Sequence, residues 1–447
     1  MDVSDRLTAQ TVELLQQLIR NRCVNDGSPE SGHEVRNADV LRAYLEGGGL
    51  DVEQFEPTPG RGSLVVRIEG SDADAPTLCL MGHTDVVPVS PSGWTRDPFG
   101  GELVDGEVWG RGAIDMLNLT ASMAVAVRDL ASQGWRPRGT LVYLAVADEE
   151  AGGGHGAGWL TEHEYDAVRA DYVLTESGGI VHSVPAGRLV TLTSGEKGIA
   201  WRRLRVRGTP GHGSMPFGTD NALVKAAEVV RRLAEYRPRA QVTDVWRAFT
   251  ATLDVSDEVR AALLDPERVY EACAALEDRR VAKLAHACTH MTFSPNVVHG
   301  GVKTNVIPDV VEVDVDIRVL PGEGPEQVAA NLTEALGPLA VDVEVETLHE
   351  ATPTASAWDT PLREVLERVT RQTYPDAALV PRMTAGGTDA RFYRERGAVA
   401  YGFGLFTDSV TFEDFSTRFH GNDERVDVGS LTLTTGMWRE VATQLLG

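Results

Sequence analysis

Met81-Gly-His-Thr-Asp-Val-Val-Pro88 ends an apolar run, Thr77-Leu-Cys-Leu-Met81, with an imidazole at His83 and a carboxylate at Asp85. A short apolar run of this kind reads as a buried strand. In an open α/β sheet the residues at the carboxyl ends of neighbouring strands converge on one crevice. The pattern recurs twice: Leu141-Val-Tyr-Leu-Ala-Val146 runs into Asp148-Glu149-Glu150, and Tyr172-Val-Leu174 runs into Thr175-Glu176. Asp115, in the glycine-rich Trp109-Gly-Arg-Gly-Ala-Ile-Asp-Met116, and His420, in Arg418-Phe-His-Gly-Asn422, complete the set. Two imidazoles and three or four carboxylates in one crevice repel or stay protonated unless a cation neutralises them. The number of acids points to two ions.

Each element read alone has a bland explanation: a lone histidine is usually structural, and a run of acids is usually a solvated turn. Their recurrence at strand ends argues otherwise. In His83-Thr-Asp85 the two side chains point to the same side of an extended chain, so Asp85 can accept the free ring N–H of a metal-bound His83. Asp115 can bridge two ions with its two oxygens. Of the adjacent pair, one glutamate can hold metal while its neighbour handles a proton.

The first two hundred residues alternate strand-like and helix-like segments, with helices expected over 120–132 and 157–163. This order implies a mostly parallel sheet covered by helices on both faces. Near Gly195 the pattern changes. Ile199 to Val206, Val310 to Val319 (strictly alternating) and Val341 to Leu348 read as strands, and Asn221 to Tyr236 and Glu326 to Leu336 as helices. A smaller α+β domain is therefore expected inside the first, giving boundaries of 1–196, 197–350 and 351–447. The stretch 237–287 is helical and charged and shows no chemistry of its own.

At 447 residues the chain has ample length for two domains. No apolar run approaches the roughly 20 residues of a membrane span. The start, Met1-Asp-Val-Ser-Asp-Arg6, lacks the features of a signal peptide, which makes a cytoplasmic protein the expectation. A formal charge of −24 argues against a nucleic-acid partner. The four cysteines show no C-x-x-C spacing, and Cys79 is expected to be buried packing.

Together these residues resemble the M20 family of metallopeptidases and amidohydrolases, which includes aminoacylases, glutamate carboxypeptidases, dipeptidases and desuccinylases. The resemblance runs through Gly82-His-Thr-Asp-Val-Val-Pro88, Trp109-Gly-Arg-Gly-Ala-Ile-Asp115, Asp148-Glu-Glu150, Gly211-His-Gly-Ser214, Thr304-Asn-Val-Ile-Pro308 and Ala385-Gly-Gly-Thr-Asp389. It implies an α/β fold with a zinc-peptidase-like mixed sheet flanked by helices, and an inserted α+β lid and dimerisation domain. It also implies two Zn2+ ions per chain, with Co2+ or Mn2+ as substitutes. His83 and Glu176 would hold one ion, Glu150 and His420 the other, and Asp115 would bridge them. Glu149 would be the general acid/base and Asp85 the partner of His83.

In a homodimer of this family, His212 would reach the partner's active site and stabilise the oxyanion. Asn305 would be a second contribution of that kind, Arg318 a ligand for the substrate carboxylate, and Gly387 and Thr388 part of a substrate loop. The expected activity is cleavage of an amide or peptide bond in a dipeptide or N-acyl amino acid with a free carboxylate. Two alternatives stand beside it: an inactive binding or dimerisation protein of the same fold, and a mononuclear metal hydrolase acting on a non-peptide bond. Asp115-Met-Leu-Asn118 departs from the lysine or second acid of many members, which counts against close kinship with the desuccinylase branch.

Overall fold

The computed structural model describes residues 3–47, 49–185 and 187–447. The chain divides into two units. The first comprises Met1–Ser194, Ser356–Arg382 and Thr388–Gly447, and the second Gly195–Ala355 and Met383–Gly387.

The first unit is built on a sheet ordered Asp51–Phe55, Ser63–Ile68, Leu141–Val146, Leu78–His83, Tyr172–Thr175, Val399–Gly402 and Gly187–Glu196. The four strands from Leu141–Val146 to Val399–Gly402 are parallel, and the strands outside them join antiparallel. The sheet is thus mixed, as the resemblance implied, and parallel only at its centre, where the alternation of segments alone suggested a mostly parallel sheet. The strands at 51–55 and 63–68 are joined by a short connection, and only antiparallel neighbours can be joined that way. The parallel strands are buried on both faces, as all six residues of Leu78–His83 and of Leu141–Val146 show.

Strand order explains where a site can form. From Leu78–His83 the chain moves to the neighbour at 141–146, then crosses back to 172–175 on the other side. Leu78–His83 is therefore a topological switch point, with a crevice at its carboxyl end.

The helix Leu117–Ser132 leaves 14 of its 16 residues buried, in keeping with its small and apolar composition. It packs between Val3–Arg20 and Val428–Leu446. Gly82 lets it approach the sheet, because a Cβ there would lie 2.4 Å from Thr120 Oγ1. With that hydrogen-only position, Thr120 Oγ1 donates to the carbonyl of His83 at 2.8 Å.

The second unit holds a four-stranded antiparallel sheet ordered Thr292–Gly300, Val310–Val319, Gly198–Arg207 and Val343–Ala351. The helices Ala222–Glu235 and Pro325–Leu336 cover one face, burying Leu204, Val206, Val229, Val313, Ile317 and Leu332. The other face carries charge pairs such as Arg203–Asp314 and Arg205–Glu312, both 2.7 Å. Such exposed pairs contribute about 0–1 kcal/mol each, so the apolar face dominates stability. The last strand begins two residues later than the sequence suggests: Val341 and Asp342 belong to a 3-10 turn, Gly337–Asp342, which has a proline in its first turn. Four helices lie between Asp244 and Thr289.

Among the described residues no helix is long and apolar enough to cross a membrane. All four cysteines are free and buried, Cys79 within its strand.

Candidate metal centre

Three parallel strands deliver side chains to the crevice. His83 is the last residue of Leu78–His83. Glu149 and Glu150 open a 3-10 turn after Leu141–Val146, and Glu176 follows Tyr172–Thr175 directly. Asp148 turns the chain into that 3-10 segment with a left-handed backbone, φ 71°. A non-glycine residue rarely adopts that region. Its carboxylate holds the turn by accepting the N–H of His155 at 2.9 Å. Asp115 stands just before the helix Leu117–Ser132, and His420 just after Phe412–Arg418.

These groups meet. Asp115 Oδ1 lies 3.2 Å from His83 Nε2, and Oδ2 lies 2.8 Å from His420 Nε2. Glu150 Oε2 is 3.3 Å from His420 Nε2, and Glu149 Oε2 is 4.0 Å from His83 Nε2. Two overlapping trios, His83–Glu149–Glu176 and His83–Asp115–Glu150, each bring their donor atoms within 4.8 Å of one another.

The electrostatics follow from crowding. Burial, then repulsion from Glu176, pushes the Glu149 carboxyl well above its usual range. Burial and the Asp115 charge raise Glu150 to about 7 and drive Glu176 well up. Burial lowers both imidazoles, but their carboxylate partners outweigh it. His83 ends well above its ordinary value and His420 at about 10. Burial pushes Asp115 up too, but the two imidazoles between which it sits outweigh that and hold it low. Without a cation, then, the cluster reaches near-neutrality only by retaining protons. Glu150 Oε1 has no hydrogen-bond partner among the described residues, although it is buried. Buried acceptors of this kind normally find one. An all-oxygen-and-nitrogen donor set with a spare carboxylate oxygen fits divalent zinc, cobalt or manganese.

Behind the cluster lies a layer of polar groups, of which only Asp85 was expected from the sequence. His83 Nδ1 donates to the backbone carbonyl of Asp85 at 3.0 Å rather than to its carboxylate, whose Oδ1 stands 3.4 Å away with no hydrogen bond among the described residues. Asp85 Oδ2 accepts from Asn25 Nδ2 at 2.9 Å and from the N–H of Glu150 at 3.0 Å. Arg61 pairs with Glu34 at 2.7 Å and lies 3.6 Å from Asp148. Asp389 is buried with both carboxylate oxygens unpartnered among the described residues, close against Gly153. On the other side, Arg111 pairs with fully buried Glu424 at 2.6 Å. Arg111 lies inside the quoted Trp109-Gly-Arg-Gly stretch, and Glu424 only four positions after His420. Those placements were the available signal.

The residues expected to bind substrate lie mostly elsewhere. His212, Asn305, Arg318 and Gly387 belong to the second unit, and Thr388 to the first. His212 is exposed, with Nδ1 2.7 Å from Ser214 Oγ. Its strand, Gly211–His212, pairs with Val306–Ile307, and the N–H of Gly213 donates to the carbonyl of Asn305 at 2.8 Å. Arg318 is engaged by Asp316 through Nε at 2.8 Å and Nη2 at 3.3 Å. Thr388 is buried and accepts the N–H of Ala390 at 3.3 Å.

The profile of peptidase family M20/M25/M40 matches residues 79–444, and the chain belongs to that family. It is a hydrolase acting on amide or peptide bonds. Aminoacylase-1 of Sus scrofa is 27% identical, over 92% of this chain and 90% of its own length. Succinyl-diaminopimelate desuccinylase of Cereibacter sphaeroides is 28% identical, over 94% of each. Identity therefore does not set the desuccinylase branch apart, whatever the departure at Asp115–Asn118 suggested. Among solved structures, an M20 metallo-carboxypeptidase of Sulfolobus solfataricus matches with a TM-score of 0.69 at 16% identity, covering 100% of this chain and 99% of that one. A dinuclear metal-binding M20 peptidase of Bacillus subtilis matches at 0.62 and 15% identity, covering 98% and 99%. At these identities the likeness establishes a shared fold.

Proposed function

We propose that this hydrolase is a dinuclear zinc enzyme that cleaves the amide bond of a dipeptide or an N-acyl amino acid bearing a free carboxylate. The supporting observation is that Asp115 offers one oxygen toward His83 and the other toward His420. His83 and Glu176 would hold one ion and Glu150 and His420 the other, with Asp115 shared between them and cobalt or manganese as workable substitutes. The relatives lend the substrate class: one is named for removing acyl groups from amino acids, another for removing a succinyl group, and a structural neighbour is titled a dinuclear metal-binding peptidase.

The ions would supply Lewis acidity at the scissile carbonyl. Glu149, raised by burial and by its acidic neighbours, takes a proton from the attacking water and returns it to the leaving nitrogen. Asp85 keeps His83 in one tautomer and one orientation. His212, contributed by the partner of a homodimer, donates to the developing oxyanion, and Asn305 assists it. Arg318 exchanges Asp316 for the substrate carboxylate, and Gly387 and Thr388 contact the substrate chain. A dimer would also cover the apolar side chains that share the second unit with His212, where Phe217 and Val302 are almost wholly exposed. A cytoplasmic setting agrees with four cysteines that are all free.

The decisive experiment pairs elemental analysis with a screen of N-acyl amino acids and dipeptides on the zinc-loaded protein, with His83→Ala as control. Two zinc ions per chain and hydrolysis that disappears in the control are expected. One ion per chain, or no hydrolysis of any amide, would overturn the assignment.

A further inference from the structure

Asp115 and His420 come from loops far apart in sequence, yet a single buried ion pair touches both. Glu424 Oε1 accepts the backbone N–H of Ile114 at 2.7 Å and of Asp115 at 3.0 Å. Its Oε2 accepts from Arg111 Nη1 at 2.6 Å, and its backbone carbonyl accepts the N–H of Gly110 at 2.9 Å. Arg111 in turn gives Nη2 to the carbonyl of His420 at 3.4 Å. The guanidinium lies 5.3 Å from the centre of the Trp94 ring, and both charged side chains are essentially out of solvent.

We propose that the Arg111–Glu424 pair is a positioning device that sets the separation of Asp115 and His420 before any ion arrives. Hydrogen bonds to a charged acceptor are stronger than neutral ones. Two such bonds therefore pin the backbone from which Asp115 projects. His420 needs the help more than the other ligands. Its backbone is left-handed at φ 57°, and its side chain is 47% exposed while that of His83 is 1% exposed. Neither Arg111 nor Glu424 is given a place among the ligands or against the substrate.

This inference rests on the dinuclear assignment, but part of its test does not. Arg111→Lys keeps a cation beside Glu424 but lacks the fork that also reaches His420. Glu424→Gln keeps the shape and removes the charge. On metal-stripped protein, backbone hydrogen exchange should speed up about tenfold in both 110–116 and 418–424 together. In zinc titrations against a competing chelator, the ion held by Glu150 and His420 should weaken about 10- to 100-fold. The ion held by His83 and Glu176 shares Asp115 but not His420, so it should weaken less, by about threefold. Unchanged exchange in either loop overturns the proposal, as does equal weakening of both ions alongside a lowered Tm. Should Glu424→Gln fail to fold, Arg111→Lys decides alone. A wild-type protein binding fewer than two ions would end the dinuclear assignment, and the exchange measurement would still judge the ion pair.

Discussion

Asp115 Oδ2 lies 2.8 Å from His420 Nε2, although the two residues are 305 positions apart in the sequence. In the absence of an ion that contact, with Glu150 at 3.3 Å, holds a proton on the imidazole.

Removing metal should therefore make stability pH-dependent in a defined direction. Glu150 titrates at about 7 in the folded chain against an ordinary 4.5, so the folded state holds an extra proton between those values. Stability falls as pH rises through that window. His420 titrates at about 10 against 6.5, and its stabilisation, complete below 6.5, is lost as pH climbs to about 10. Both groups act in the same sense. The Tm of chelator-stripped protein should fall from about pH 5 to about pH 9 while that of zinc-loaded protein stays flatter. Parallel curves would contradict a cation-dependent cluster.

Glu149→Gln should separate proton transfer from ion binding. A positioned acid/base contributes about 10²- to 10⁴-fold to rate. A loss of kcat in that range is expected, with zinc content near wild type. Retained turnover would remove Glu149 from the chemistry.

Gly82→Ala tests the approach of the helix Leu117–Ser132 to the strand that ends in His83. The added methyl would meet Thr120 Oγ1 at 2.4 Å and Met116 Cε at 3.2 Å. Overpacking of this kind costs about 1–3 kcal/mol. Denaturant titration should show that loss, with weaker zinc binding because the Thr120–His83 hydrogen bond is displaced. Wild-type stability would mean that the helix can give way freely.

Lys197 offers a pH test away from the metal. It is buried in the second unit, where Nζ donates to the carbonyl of His290 at 2.7 Å, and burial lowers it to about 8 from 10.5. Between those values the unfolded chain binds the extra proton, so this group makes stability rise with pH there, and its full penalty stands below about 8. Replacing it by Met removes the term. The stability difference between Lys197→Met and wild type should shift by up to about 3 kcal/mol across that window, read by urea titration at several pH values. A pH-independent difference would show that Lys197 does not titrate in the fold.

The candidate ligands were legible because each group sits where a local pattern ends. His83, Glu149, Glu150 and Glu176 follow strands buried on both faces, and continuous apolar runs announce such strands. The antiparallel flanks were less legible, since the strand at 51–55, Asp-Val-Glu-Gln-Phe, is half exposed and carries little apolar signal. Of the supporting layer only Asp85 was legible. Glu424, Arg111, Asn25, Glu34 and Arg61 matter through partners that are distant in sequence, and no periodicity encodes such pairings. Arg111 stood inside a quoted motif without a role.

The N–H of Ser356 donates to the carbonyl of Ser194 at 2.8 Å, so the chain departs and returns at adjacent points. Cutting out the intervening stretch and closing the gap with a tight turn would leave His83, Asp115, Glu149, Glu150, Glu176 and His420 on one shortened polypeptide. Ion capture and turnover could then be assayed on separate molecules.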